Sequence, residues 1–117
     1  MILGADIGGT KTLLALAGDG GIVCERRYPS RDWSEFADLL RAFLGEAGCA
    51  AGITSACLGV AGPVEGNRAK VTYLPWFIDG PALAQGFGIG RVEVVNDFAA
   101  AAQGVASLRP DDLISLQ

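Results

Sequence analysis

Residues 4–17, GADIGGTKTLLALA, set a carboxylate, two adjacent glycines and a threonine in a turn between two apolar runs. Those runs, 2–7 and 13–17, are short, and neither repeats at the 3.6-residue spacing of a helix, so the segment reads as a hairpin. Without a Cβ, Gly8 and Gly9 allow positive φ and let backbone amides come close to an anion, and the Thr10 hydroxyl adds one more donor. Phosphate binding is the chemistry such a turn can do. Asp6 repels a phosphate unless a cation stands between them, so a Mg²⁺ ion, held directly or through water, belongs to that reading. A tight hairpin with a turn-stabilising Asp fits the same residues. The segment is neither a Walker loop nor a dinucleotide fingerprint, since both need a different glycine spacing leading into a helix.

A second constellation lies near the other end. Asn96 and Asp97 follow a short apolar run, 92–95, and open a helical stretch, which puts them at the carboxyl edge where open α/β sheets bind ligands. A carboxylate there can take the proton of an alcohol as its oxygen attacks phosphorus, a step that asks mainly for positioning. Taken alone, Asn96 or Asp97 is read more simply as a helix cap. The hairpin in the same small domain favours the catalytic reading. Between the two sites runs AGPVEGNRAKVTYLPW, residues 61–76, with Thr72 and two aromatics, Tyr73 and Trp76. Trp76 suits either a platform for a sugar face or the core. Lys11 reads as an outward-facing strand residue. The chain has no histidine, so a general base within it is a carboxylate, a lysine or a thiol.

The elements that must hold these residues are short. Asp19-Gly20 joins the second strand to a third, 22–28, making a three-strand meander. Phe36, Leu39, Leu40, Phe43 and Leu44 recur at helical spacing, with Asp32 or Ser34 as caps and Gly45 and Gly48 marking the end. The run 56–61 reads as a strand buried on both faces and stopped by Gly62-Pro63. Glu65-Gly66-Asn67 is a turn into an extended piece, 69–72; Asp79 caps a brief helix through Phe87, with Pro81 in its first turn. Strand 92–95 and a small-residue helix, 98–105, ending near Arg109-Pro110, complete the order, and 113–117 reads as the start of an extended segment. A meander followed by strand-helix units predicts an α/β fold with a mixed sheet.

Composition bounds the function. One domain fits 117 residues, and 50% hydrophobic residues suffice for a core. A net charge of −4 argues against nucleic acid or an anionic membrane surface as partner. No apolar run approaches the ~20 residues of a membrane span, and Met1 leads straight into the first strand without a basic leader region. Cys24, Cys49 and Cys57 are odd in number and lack metal-ligand spacing; free, packed thiols in a cytoplasmic protein are expected.

Together the motifs GADIGGTKT, GVAGPVEGNRAKVTYLPW and VVNDFAAAAQG, in that order over nearly the whole chain, resemble the bacterial glucokinases, hexokinase-type enzymes of the actin-like ATPase superfamily. The resemblance implies a ribonuclease H-like mixed sheet with flanking helices. It implies that Ala5, Asp6, Ile7, Gly8, Gly9 and Thr10 hold the phosphates of ATP, with Asp6 near Mg²⁺ through water. Asp97 is then the base on the 6-hydroxyl of D-glucose, Asn96 binds neighbouring hydroxyls, and Thr72 lies on the sugar side. It further implies that residues 1–117 are the N-terminal, smaller domain of a two-domain kinase. The C-terminal, larger domain would lie outside this sequence, leaving the chain alone inactive and free to self-associate through the surface that domain would cover. The family pattern TNLPW has Asn where Tyr73 stands here. A kinase for another hexose or an amino sugar, or a non-catalytic sugar-binding regulator on the same fold, are the competing expectations.

Overall fold

Strand alternation builds the centre of the molecule, and a computed structural model describes it for residues 1–18, 20–48 and 52–96. In β1 (Ile2–Ile7) the residues Leu3, Ala5 and Ile7 point to one face and are buried there with Leu14 and Leu16 of β2 (Lys11–Gly18). The meander closes with β3 (Gly21–Pro29), antiparallel to β2, and ends in a single 3-10 turn, Ser30–Asp32.

The helix α1 (Phe36–Ala47) covers that apolar face. Phe36, Leu39, Leu40, Phe43 and Leu44 form its buried stripe, in one cluster with the strands. Neither expected cap is used: Asp32 sits in the 3-10 turn, and the residue before the helix is Glu35, which makes no side-chain cap bond. Packing therefore holds this N-terminus. Gly48, with φ of 69°, ends the helix in the left-handed conformation that costs glycine little.

β4 (Ser55–Val60) then pairs parallel with β1 and directs Ala56, Leu58 and Val60 into the same core. Two very short strands, β5 (Val64–Glu65) and β6 (Arg68–Lys70), form a hairpin, and β7 (Phe77–Asp79) adds a third strand to this small sheet. Elements of two or three residues are too short to show a period, so only a turn and one extended piece were expected here. The helix α2 (Gly80–Phe87) begins as expected: the Asp79 carboxylate accepts from the Ala82 amide at 3.1 Å. That amide, and then Arg68 at 3.1 Å, holds the Asp79 carboxyl below its ordinary value. β8 (Arg91–Val95) returns parallel to β4, and the main sheet reads β3-β2-β1-β4-β8. The expected helix at 98–105, the Asp19 side of the turn between β2 and β3, Cys49 and residues 113–117 lie outside the described residues.

Asn67 ties the two sheets together. Its Nδ2 donates to the Val92 carbonyl at 2.8 Å and its Oδ1 accepts from the Val94 amide at 2.7 Å, so a side-chain amide takes the place of a neighbouring strand beside β8. The backbone of Asn67 is left-handed, φ 61°, a conformation asparagine tolerates. Its carbonyl also accepts from Gly80 at 3.0 Å, and a Cβ at Gly80 would lie 2.8 Å from that oxygen, which explains a glycine at the start of α2.

Asn67→Gly keeps the left-handed backbone and removes only the amide. It is expected to lower stability in urea unfolding by about 1–3 kcal/mol, the cost of leaving partly buried backbone groups unpaired. An unchanged midpoint would show that water serves the β8 edge equally well.

Candidate functional site

Parallel pairing gathers the candidate residues. Ile7 lies beside Val60, and Gly59 beside Val95, so the residues that follow β1, β4 and β8 leave the sheet at one edge. These are Gly8, Ala61 and Asn96. The Ala61 amide donates to Ile7 at 3.0 Å, and the Thr72 amide donates to Ala61 at 2.8 Å, which draws the segment after β6 across the same edge. The loop has no room for a Cβ at Gly62, which would collide with the Lys70 carbonyl. Turn, Thr72 segment and Asn96 thus stand together, as their sequence spacing alone could not require. Asp97, the expected base, lies outside the described residues.

The turn itself differs from expectation in one respect. Neither Gly8 nor Gly9 adopts left-handed φ. Their need for glycine is close approach: a Cβ on Gly8 would lie 3.1 Å from the Lys11 carbonyl, and one on Gly9 3.1 Å from that of Thr72. The Gly8 amide is spent on Lys11 at 3.1 Å, whereas the Gly9 amide has no protein acceptor among the described residues. Thr10 and Lys11 are exposed.

Asp6 faces the side of the sheet opposite the α1 core, between Leu13 of β2 and Gly59 of β4. On that face Ile2 and Cys57 form a second small cluster with Val95. Burial raises the Asp6 carboxyl above its ordinary value, and no ion pair among the described residues engages it. No cluster of three or more His, Cys, Asp or Glu side chains could hold a metal among the described residues. Cys57 is no nucleophile: burial, and then Glu93, push its thiol up to about 11.

Trp76 is core. It is 1% exposed, packs on Phe36 and donates its indole N–H to the Trp33 carbonyl at 3.0 Å, which removes it as a platform for a sugar. Thr72 is exposed beside the turn, and Tyr73 is 89% exposed with φ of 68°. The asparagine of the family pattern suits such a backbone better than a tyrosine does.

Sequence reading missed Ser30. It is fully buried, its Oγ donates to the Gly8 carbonyl at 2.7 Å, and its amide donates to Thr10 at 2.9 Å. The only sequence signal was a polar residue directly after the third strand.

An antiparallel meander continued by parallel strands, with the loops after β1, β4 and β8 at the shared carboxyl edge, defines an α/β domain of the actin-like ATPase fold. The family model described as glucokinase matches residues 3–117. A curated glucokinase from Nostoc sp. is 38% identical across 100% of this chain and 36% of its own length; one from Xanthomonas oryzae is 33% identical across 98% and 35%. The crystal structure of a glucokinase from an Antarctic psychrotroph superimposes with a TM-score of 0.69 at 31% identity, over 85% of this chain and 33% of that one. A hexokinase from Schistosoma mansoni complexed with glucose shares the fold, with a TM-score of 0.54 at 21% identity, over 93% of this chain and 32% of that one. The chain belongs to the glucokinase family. It spans about a third of the length of the curated relatives it matches.

Asp6→Asn is expected to stabilise the chain at neutral pH. The half-buried carboxylate is disfavoured when ionised, so native stability falls as pH rises from the ordinary value of 3.8 through the raised one, and the amide has no such loss. Thermal melts of both proteins should converge at pH below 3.8, and a gap independent of pH would refute the burial account. Tyr73→Asn is expected to add about 0.5–1 kcal/mol by relieving left-handed strain. A lower urea midpoint for that variant would mean that the phenol makes a stabilising contact.

Proposed function

We propose that the whole protein is a glucokinase, transferring the γ-phosphoryl group of ATP to the 6-hydroxyl of D-glucose to give glucose 6-phosphate and ADP at the entry to glycolysis in the cytoplasm. Among the described residues no helix is long and apolar enough to cross a membrane. The observation that carries the reading is the convergence of the 8–10 turn, the Thr72 segment and Asn96 on one sheet edge.

In this reading residues 5–10 receive the phosphates. Ala5 and Ile7 anchor the turn by their burial, at 1% and 0% exposure, while Gly8, Gly9 and Thr10 supply a backbone that approaches closely and a hydroxyl. Asn96 and Thr72 bind sugar hydroxyls, and Asp97 accepts the 6-hydroxyl proton as the oxygen attacks phosphorus. Mg²⁺, when bound, offsets phosphate charge. Asp6 fits a water-held ion of this kind, being half-buried, alone and without a cationic partner among the described residues.

Residues 1–117 form the smaller domain, and a second domain completes the cleft. Closure over the substrates excludes water and aligns the reacting groups, so this chain alone is inactive.

A coupled assay for glucose 6-phosphate, run on this chain and on the longest reading frame containing it, tests the proposal. Turnover only in the longer protein, abolished by Asp97→Asn with the fold retained, is the expected result. No turnover in a folded longer protein would redirect the search to another sugar or to a binding role, and near-normal turnover in the variant would remove Asp97 from the chemistry.

A further inference from the structure

Ser30 and Thr12 are the two fully buried polar side chains among the described residues, and they touch. The Ser30 Oγ lies 2.8 Å from the Thr12 Oγ1 and 2.7 Å from the Gly8 carbonyl oxygen. A carbonyl only accepts, so the single Ser30 hydroxyl proton goes to Gly8, and Thr12 must donate to Ser30. The Ser30 amide meanwhile donates to the Thr10 carbonyl at 2.9 Å. One residue therefore grips two carbonyls, at either end of the Gly9-Thr10 tip.

The peptide bonds here are trans. In a trans peptide the C=O of one residue and the N–H of the next point in opposite directions. Holding the Gly8 carbonyl against Ser30 turns the Gly9 N–H away from it, and holding the Thr10 carbonyl turns the Lys11 N–H away as well. The Gly9 amide is left without a protein acceptor among the described residues.

We propose that Ser30 is a positioning residue for nucleotide phosphate binding: it sets the two peptide planes of the turn so that the Gly9 and Lys11 amides face the phosphate together. The inference rests on the reading of residues 5–10 as the phosphate turn. Ser30 touches no substrate, and it acts through the backbone it holds. Thr12 removes the freedom of the Ser30 hydroxyl to rotate towards another acceptor, and both hydroxyls are fully buried, which keeps water from replacing the bond between them.

The test uses the longest reading frame containing this chain, with Ser30→Ala, Thr12→Val and Ser30→Thr, each checked for a native melting transition. Steady-state kinetics on ATP and glucose are combined with calorimetric titration of ATP alone. Ser30→Ala is expected to raise the KM and the Kd for ATP about three- to tenfold, the weight of one or two hydrogen bonds, with the KM for glucose unchanged. Ser30→Thr, which restores the hydroxyl, should recover most of the loss, and Thr12→Val should show a smaller shift in the same direction. A merely structural role would lower the active fraction and leave both KM values in place, and that result overturns the proposal. Should Ser30→Ala not fold, Thr12→Val decides: an unmoved ATP affinity refutes the proposal and a weakened one supports it. Wild-type protein that binds ATP yet phosphorylates no sugar refutes the glucokinase reading alone, because the ATP titration still reports on Ser30.

Discussion

Parallel pairing of β1 with β4, and of β4 with β8, is the constraint on which the rest of the structure depends. A parallel ladder makes every strand run out of the sheet at the same edge, and long connections must then cross back over a face. Here the first connection is the meander plus α1, and the second is the small sheet plus α2. Three chain exits are thereby brought to within about two strand spacings, roughly 10 Å, of one another. The antiparallel pairing of β1 with β2 then allows a tight turn at that edge, where a helical crossover would leave no compact backbone loop.

Polar groups at the seams keep this arrangement in register. Asn67 stands beside β8 as a surrogate strand, Ser30 and Thr12 hold the turn after β1, and the Trp76 indole is paired with the Trp33 carbonyl. Each joins elements far apart in sequence, and each pairs polar groups that the fold buries wholly or in part. Buried hydrogen bonds of this kind add modest net stability but penalise every alternative packing that would break them. The apolar cluster beneath α1 supplies the driving force, and the polar seams supply the alignment.

Two residues at the edge work against stability. Asp6 is a half-buried carboxylate with no cationic partner among the described residues, and Tyr73 holds a left-handed backbone. Strain and unpaired charge are retained where a ligand is expected to meet the chain, which is where such costs usually gather.

The sequence by itself determined the elements with a clear period or punctuation. β1 was legible in full, α1 through its five apolar positions, and α2 through Asp79 and Pro81, because each depends on local spacing and local hydrogen bonds. The three motifs were also legible, since glycine and carboxylate spacing survives without any fold. Only tertiary structure decided the rest. The small sheet escaped because strands of two or three residues carry no period, and Glu35 replaced the expected caps because packing on the strands sets where α1 begins. Trp76 became core because the fold, unlike the loop sequence, brings Phe36 and the Trp33 carbonyl to it. The glycines of the turn were right in type, but neither uses the positive φ they allow: the crowding that demands them comes from Lys11 and from Thr72, the latter more than sixty residues away. Ser30 is the clearest case, for its partners are named by the pairing of β2 with β1 and β3, and no reading of a single polar residue after a strand contains them.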